Sequence, residues 1–269
     1  MFPNSGPSPS APEVLTHRID GDGPPLVLLN GGFMSIAAWE QFVAPLSSTY
    51  RIIRCDFRGQ LLTPGPYPES LDEHALDVLA LLDVLGIASA HVAGVSFGAE
   101  VALTLSALAP DRVDRLTIIS ATDRLTERMR NDIREGRQLA AEAAAGQTGS
   151  AQQLFRRVLT DTWSEGWLAR QPPNFLENRV QQASLLPPPY FAGAAALLGA
   201  LDTLDLSSSL GRITAPTLVI GGQHDRVFPA EHSQAIANGI ADARVEIVAD
   251  TGHGLLFEHA ERVIELLRA

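Results

Sequence analysis

The sequence predicts an α/β fold, a mostly parallel central sheet flanked by helices. Three observations predict it. Short runs rich in Val, Ile and Leu recur along the chain, most of them closed by Gly, Asn, Asp or Ser. Segments with helical periodicity lie between several of these runs. A Gly-x-Ser-x-Gly stretch joins one run directly to a long apolar segment, in the order strand, sharp turn, helix.

Taken in order, Leu26–Leu29 ends in Asn30-Gly31-Gly32, and Arg51–Cys55 ends in Asp56. Between residues 71 and 85, apolar side chains at Leu71, Ala75, Val78, Leu79, Leu82 and Leu85 mark one helical face, and Gly86 stops it. His91–Val95 ends at Ser96, and Ala99–Ala109 reads as the helix that follows. Leu116–Ile119 ends in Ser120, Thr217–Ile220 in Gly221-Gly222, and Val245–Val248 just before Asp250. Pro229–Ile240 and Leu255–Leu267 behave as helices. The near-continuous apolar content of the runs suits strands covered on both faces.

From 121 to 212 the alternation stops. Glu127–Ala145 reads as a helix, and Gly146–Ser150 as a break. Helix-like stretches follow around Pro172-Pro173 and Pro187-Pro188-Pro189. A segment this long is no ordinary loop. We read 121–212 as a helical cap inserted into a core of 13–120 and 213–269, and 1–12, rich in Pro and Ser, as a disordered tail.

Composition narrows the function. The 269 residues are 45% hydrophobic and 19% charged, enough for one large core with an insertion. A net charge of −11 argues against nucleic acid or an anionic membrane as partner. No apolar run reaches the ~18 residues of a membrane span. The start lacks the basic and apolar regions of a signal peptide, so a cytoplasmic location is the default expectation. The single cysteine, Cys55, rules out an internal disulfide and reads as a buried inert thiol. No metal cluster and no cofactor motif stand out. The oligomeric state is not legible.

The chemistry centres on Gly94-Val95-Ser96-Phe97-Gly98. A serine at the apex of a strand-to-helix turn projects its hydroxyl out of the sheet, and the flanking glycines leave room for the close approach. The helix beginning there aims backbone N–H groups at the site. A serine hydroxyl needs a base, and the base an orienting carboxylate. Asp225, in Gly221–Pro229, and His253, in Thr251-Gly252-His253-Gly254, each follow a strand end. In an open α/β sheet, ligands bind beyond those ends.

With these residues in view, the chain from about Pro25 onward resembles the α/β-hydrolase superfamily. The likeness is to its small capped bacterial members: carboxylesterases, enol-lactonases, cofactor-free haloperoxidases and C–C bond hydrolases. Leu28–Gly32 resembles the family's oxyanion loop, Asp56-Phe57-Arg58-Gly59 its D-x-R-G turn, and Ala109–Val113 the link after the nucleophile helix. Ser96, Asp225 and His253 fall on its triad in the family's chain order. The resemblance implies Ser96 as nucleophile, His253 as base and acid, and Asp225 as the residue holding the imidazole. It also implies backbone N–H groups of Gly32 and Phe97 as the oxyanion hole. Two departures stand out. Asn30 occupies the place of the family's His in His-Gly, and Gln60-Leu61-Leu62 follows the D-x-R-G turn where His or Tyr is usual.

Rivals exist for two roles. His17, His74, His91, His224, His232 and His259 compete with His253. His224 reads as a surface loop residue, His91 as packed at the start of its strand, and His74 as a helix-surface residue. Asp123, after Ser120, competes with Asp225, because some relatives carry the acid there; Asp250 reads as a turn former. The insert supplies Phe155, Trp163, Trp167, Phe175, Tyr190 and Phe191, either to a pocket or to the insert's own core, with Trp163, Trp167, Tyr190 and Phe191 as the pocket candidates. Phe33 and Met34 follow the oxyanion loop as pocket candidates, and Trp39 as an anchor for the next helix.

The expected activity is cofactor-independent hydrolysis of a carboxylic ester, lactone or thioester of a small, largely apolar substrate through an acyl-enzyme. The alternatives are a C–C hydrolase of a diketone-type ring-cleavage product and a non-catalytic ligand receptor. Perhydrolysis is a side reaction the same triad supports. Dehalogenases and epoxide hydrolases need a carboxylate where Ser96 stands.

Overall fold

A computed structural model describes residues 14–63 and 65–269. The expected tail, 1–12, lies outside the described residues. Among the described residues seven strands occur: β1 (His17–Asp20), β2 (Pro25–Leu29), β3 (Arg51–Cys55), β4 (Ala90–Val95), β5 (Val113–Ile119), β6 (Thr217–Gly222) and β7 (Ala243–Val248). The core helices of the first half are α1 (Glu40–Leu46), α2 (Leu71–Val84) and α3 (Phe97–Leu108). Between β5 and β6 lie α4 (Glu127–Ala144), α5 (Ser150–Thr162), α6 (Glu165–Leu168), α7 (Phe175–Ser184) and α8 (Pro188–Ala200), with no strand. α9 (Ala230–Gly239), α10 (Leu255–Glu258) and α11 (Ala260–Arg268) complete the chain.

The sheet order is β1-β3-β2-β4-β5-β6-β7. β1 pairs antiparallel with β3, and every other pairing is parallel. The carboxyl ends of β2 to β7 therefore share one edge, which collects the loops carrying the singled-out residues. Side chains alternate between two cores, as a strand period of two requires. Val27, Leu29, Val92, Leu116, Ile118 and Val219 face the core built with α2, α3 and α9. Leu26, Leu28, Ala93, Ile119, Leu218 and Ile220 face the one built with α1, α10 and α11. This two-sided burial is why the central strands read as continuous apolar runs. α3 is buried on nearly every side, and most of its residues are apolar.

Four details differ from the expectation. β1 is an additional strand; it is short, polar and partly exposed at the sheet edge, so it carries no apolar run. β7, at the opposite edge, is only half covered. The helix expected over Leu255–Leu267 is two, α10 and α11, parted where His259 leaves helical geometry at φ −135°. His74 is fully buried rather than at the helix surface, with edge-on ring contacts to Phe57 and Phe97. Burial pushes its pKa down to about 3, so the ring is neutral. Among the described residues no helix is long and apolar enough to cross a membrane.

Candidate active site

Ser96 sits between β4 and α3 with φ 51° and ψ −125°, a conformation that L-residues rarely adopt. The two glycines make that turn possible. A Cβ on Gly94 would run into the backbone of Gly98 and Ala99, and one on Gly98 into the carbonyls of Leu29 and Asn30. The close approach of α3 to the end of β2 sets Phe97 beside Gly32; a Cβ on Gly32 would lie 3.8 Å from that of Phe97. Phe97 opens α3, so its N–H has no intrahelical acceptor. The Gly32 N–H donates no hydrogen bond among the described residues.

The loops after β6 and β7 bring two more side chains to this turn. His253 Nε2 lies 3.1 Å from Ser96 Oγ, and His253 Nδ1 lies 2.9 Å from Asp225 Oδ2. A carboxylate only accepts, so the Nδ1 proton faces Asp225 and Nε2 is left to accept from the serine hydroxyl. Asp225 is fixed in turn. Its Oδ1 accepts from the backbone N–H groups of Val227 (2.9 Å) and Phe228 (2.8 Å), and its side chain is fully buried. The Phe228 ring stands edge-on to the imidazole at 5.4 Å.

The last turn of α5 and the segment linking it to α6 clamp both loops. The Gly254 N–H donates to the Thr162 carbonyl at 2.7 Å. The Arg226 guanidinium donates to the Thr160 and Trp163 carbonyls. Glu258 accepts from the Ser164 N–H and hydroxyl and from the Gly252 N–H. No motif announced Thr162, Ser164 or Glu258, because the partners lie about ninety residues apart in the chain.

Ser96 and His253 open into a cavity of about 580 Å³ between the sheet edge and the insert. Phe33, Met34, Trp163 and Trp167 line it, with Met129, Leu154, Phe175, Leu197, Phe228 and Phe257. Trp163 and Trp167 stack at 4.3 Å, and Phe175 packs edge-on against both. Tyr190 and Phe191 are not among the lining residues. They pack with Phe155 in the insert's own core, and the Tyr190 hydroxyl donates to the Phe33 carbonyl. Of the four insert aromatics expected in the pocket, Trp163 and Trp167 line the cavity, whereas Tyr190 and Phe191 are taken up by the insert's own core.

The rivals stand elsewhere. His91 is buried with Nε2 2.9 Å from the Thr117 hydroxyl, and His224 is exposed. Asp123 contacts Arg124 at 3.0 Å and lies 3.9 Å from His232. His232 itself is 2.8 Å from the Thr122 hydroxyl. Cys55 is buried, and burial pushes its thiol up to about 12. Among the described residues no three His, Cys, Asp or Glu side chains are grouped to hold a metal ion.

The departures at 30 and 60 turn out to be one feature. Asn30 Nδ2 lies 2.9 Å from each of Cys55 O, Asp56 Oδ1 and Gln60 Oε1, while Trp39 Nε1 donates to Asn30 Oδ1 at 2.8 Å. Trp39 thereby anchors the oxyanion-loop candidate rather than its own helix alone.

Beneath Ser96, Glu100 on α3 is fully buried and accepts from the Thr122 N–H at 3.1 Å. Burial, with the charge of Asp225 adding to it, pushes its carboxyl up to about 8. The sign follows from linkage. The unfolded chain releases this proton near 4.5 and the folded chain only near 8, so stability falls as pH rises between those values. Glu100→Gln keeps the acceptor and removes the ionisation. Its melting temperature should exceed that of the native chain by on the order of 10 °C above pH 8, with the gap closing below pH 4.5. Melting curves across that range check it; a difference independent of pH would refute the assignment.

Residues 24–260 match the family described as the alpha/beta hydrolase fold. A Stutzerimonas stutzeri protein named carbamate hydrolase RutD is 26% identical, over 94% of this chain and 93% of its own length. The dihydrolipoyllysine-residue acetyltransferase component of the acetoin cleaving system of Pseudomonas putida is 31% identical, over 98% of this chain and 69% of its own. The crystal structure of the enol-lactonase from Burkholderia xenovorans LB400 superposes with a TM-score of 0.81 at 27% identity, covering 94% of this chain and 95% of that one. The chain belongs to the alpha/beta hydrolase family. These relatives bear names of different activities, so substrate must be argued from the site.

Proposed function

We propose that this alpha/beta hydrolase is a cofactor-independent serine hydrolase. It cleaves a carboxylic ester, lactone or thioester of a small, largely apolar substrate through an acyl-enzyme. One observation carries the reading: Ser96, His253 and Asp225 form an unbroken chain of contacts at 3.1 and 2.9 Å, and its serine end opens into an apolar cavity. Ser96 Oγ attacks the acyl carbon while His253 Nε2 takes its proton. The Gly32 and Phe97 N–H groups bind the oxyanion, each worth on the order of 10²–10³ in rate. The protonated imidazole, held by Asp225, gives its proton to the leaving group. Water, deprotonated by the same nitrogen, then releases the acid and restores Ser96. The insert acts as a cap, its Trp163, Trp167 and Phe175 covering the acyl group with apolar surface.

The test is a series of p-nitrophenyl esters from acetate to dodecanoate, run beside labelling by an alkyl fluorophosphonate. The apolar cavity of about 580 Å³ predicts turnover that rises from acetate as the acyl chain lengthens, and phosphonylation at Ser96. Absence of both turnover and label would overturn the reading. Faster cleavage of a ring-fission diketone than of any ester would move it to C–C hydrolysis.

A further inference from the structure

We propose that Gln60 is a positioning residue of the oxyanion hole, acting through the Gly31 carbonyl; this rests on the serine-hydrolase reading. Gln60 Nε2 donates to the Gly31 carbonyl at 2.8 Å, and the Met34 N–H donates to the same oxygen at 3.0 Å, so Gln60 is the side-chain half of a two-donor hold. That carbonyl and the Gly32 N–H belong to one planar peptide unit, so holding the oxygen aims the N–H. Gln60 is buried, lies in the loop after β3 and is not among the residues lining the cavity.

The orientation of both amides follows from donors that cannot accept. The Trp39 indole N–H only donates, so the atom of Asn30 it meets is the oxygen and the Asn30 amide nitrogen faces Gln60. Gln60 Oε1 receives Asn30 Nδ2 at 2.9 Å and the Phe57 backbone N–H at 3.0 Å, so that atom is the oxygen too. The Gln60 nitrogen is thereby left pointing at Gly31. The relay runs Trp39, Asn30, Gln60, the Gly31–Gly32 peptide, with each donation polarising the next. Asp56 braces it by accepting from Asn30 and from the Ile36 and Leu62 N–H groups. Asn30 and Gln60 are the two positions where this chain leaves the family pattern, and they touch each other.

An N–H aimed by this relay acts on charge that develops only in the tetrahedral intermediate, so its loss falls on kcat and not on KM. Gln60→Met keeps the volume and removes both polar ends. Gln60→Asn keeps the amide but is one methylene too short, and it decides the matter if Gln60→Met unfolds. With p-nitrophenyl butyrate we expect kcat to fall ~10- to 100-fold with KM within threefold of the native value. The rate of Ser96 phosphonylation should fall in parallel, with the fold retained by melting curve. Folded variants with kcat and labelling rate within twofold of native, or a loss carried wholly by KM, would overturn the proposal. Ser96→Ala is the control for the underlying reading. If that variant is still hydrolytic and labelled, or the native chain shows neither turnover nor label, the serine-hydrolase reading fails and this inference with it. If Ser96→Ala is inert and the Gln60 variants are normal, only the positioning role fails.

Discussion

Ser96→Ala should lower kcat/KM for p-nitrophenyl butyrate by on the order of 10⁵-fold and abolish phosphonylation while leaving the fold intact. The size of the loss follows from what the hydroxyl does. Without Oγ no acyl-enzyme forms, and what remains is whatever water attack the Gly32 and Phe97 N–H groups still assist. The fold should survive because alanine keeps the Cβ. The turn at φ 51° is then neither relieved nor strained further, and the apposition of Gly94 and Gly98 is untouched. One hydrogen bond, to His253 Nε2, is lost at a site open to the cavity, so the melting temperature should move by only about 2 °C. Kinetics, intact-protein mass after fluorophosphonate treatment and a melting curve check the three parts. Residual activity within tenfold of native would remove Ser96 from the nucleophile's role.

The strands and helices with an apolar run or an apolar stripe were readable from sequence; the polar edge strand β1 and the break between α10 and α11 were not. β2 to β6 and α3 are apolar because they are covered on both sides, and their runs end at the turns that carry Asn30, Asp56, Ser96 and Asp225. β1 reads His-Arg-Ile-Asp and is held by its pairing with β3, a long-range fact that no local pattern contains. The break between α10 and α11 lies inside an unbroken apolar periodicity. His74 was misread for a related reason. On an amphipathic helix a polar residue suggests solvent, but Phe57 and Phe97, from two other elements, close over it.

The site divides the same way. Chain order singled out Ser96, Asp225 and His253, and these three are in contact. Trp163 and Trp167 could not be told from Tyr190 and Phe191, because composition does not say which face of the insert meets the cavity. Asn30 and Gln60 each stood out as departures from a family pattern. That one amide completes the hydrogen bonding of the other is visible only when β2 and β3 lie side by side. The clamp of Thr162, Ser164 and Glu258 on the His253 loop left no local trace at all.

Asp225→Asn should lower kcat by about 10³- to 10⁴-fold with little change in stability, and the reason lies in which end of the new amide is free to turn. Asp225 Oδ1 accepts from two backbone N–H groups, those of Val227 and Phe228. An amide nitrogen at that corner would set donor against donor, so the oxygen of the substituted amide is held there and its NH2 takes the place of Oδ2, against His253 Nδ1. Nδ1 must then accept, and the imidazole proton moves to Nε2, facing Ser96. A ring in that tautomer cannot take the serine proton. The two backbone donations are kept, so the melting temperature should stay within a few degrees of native. Asp123→Asn is the comparison, because Asp123, after β5, is the rival for the acid's role. Its side chain engages Arg124 and lies 3.9 Å from His232, which bonds to Thr122, and neither contact leads to His253. That variant should keep kcat within about threefold of native. Steady-state kinetics of the two variants side by side decide the matter. Full activity in Asp225→Asn with loss in Asp123→Asn would transfer the acid's role to the loop after β5.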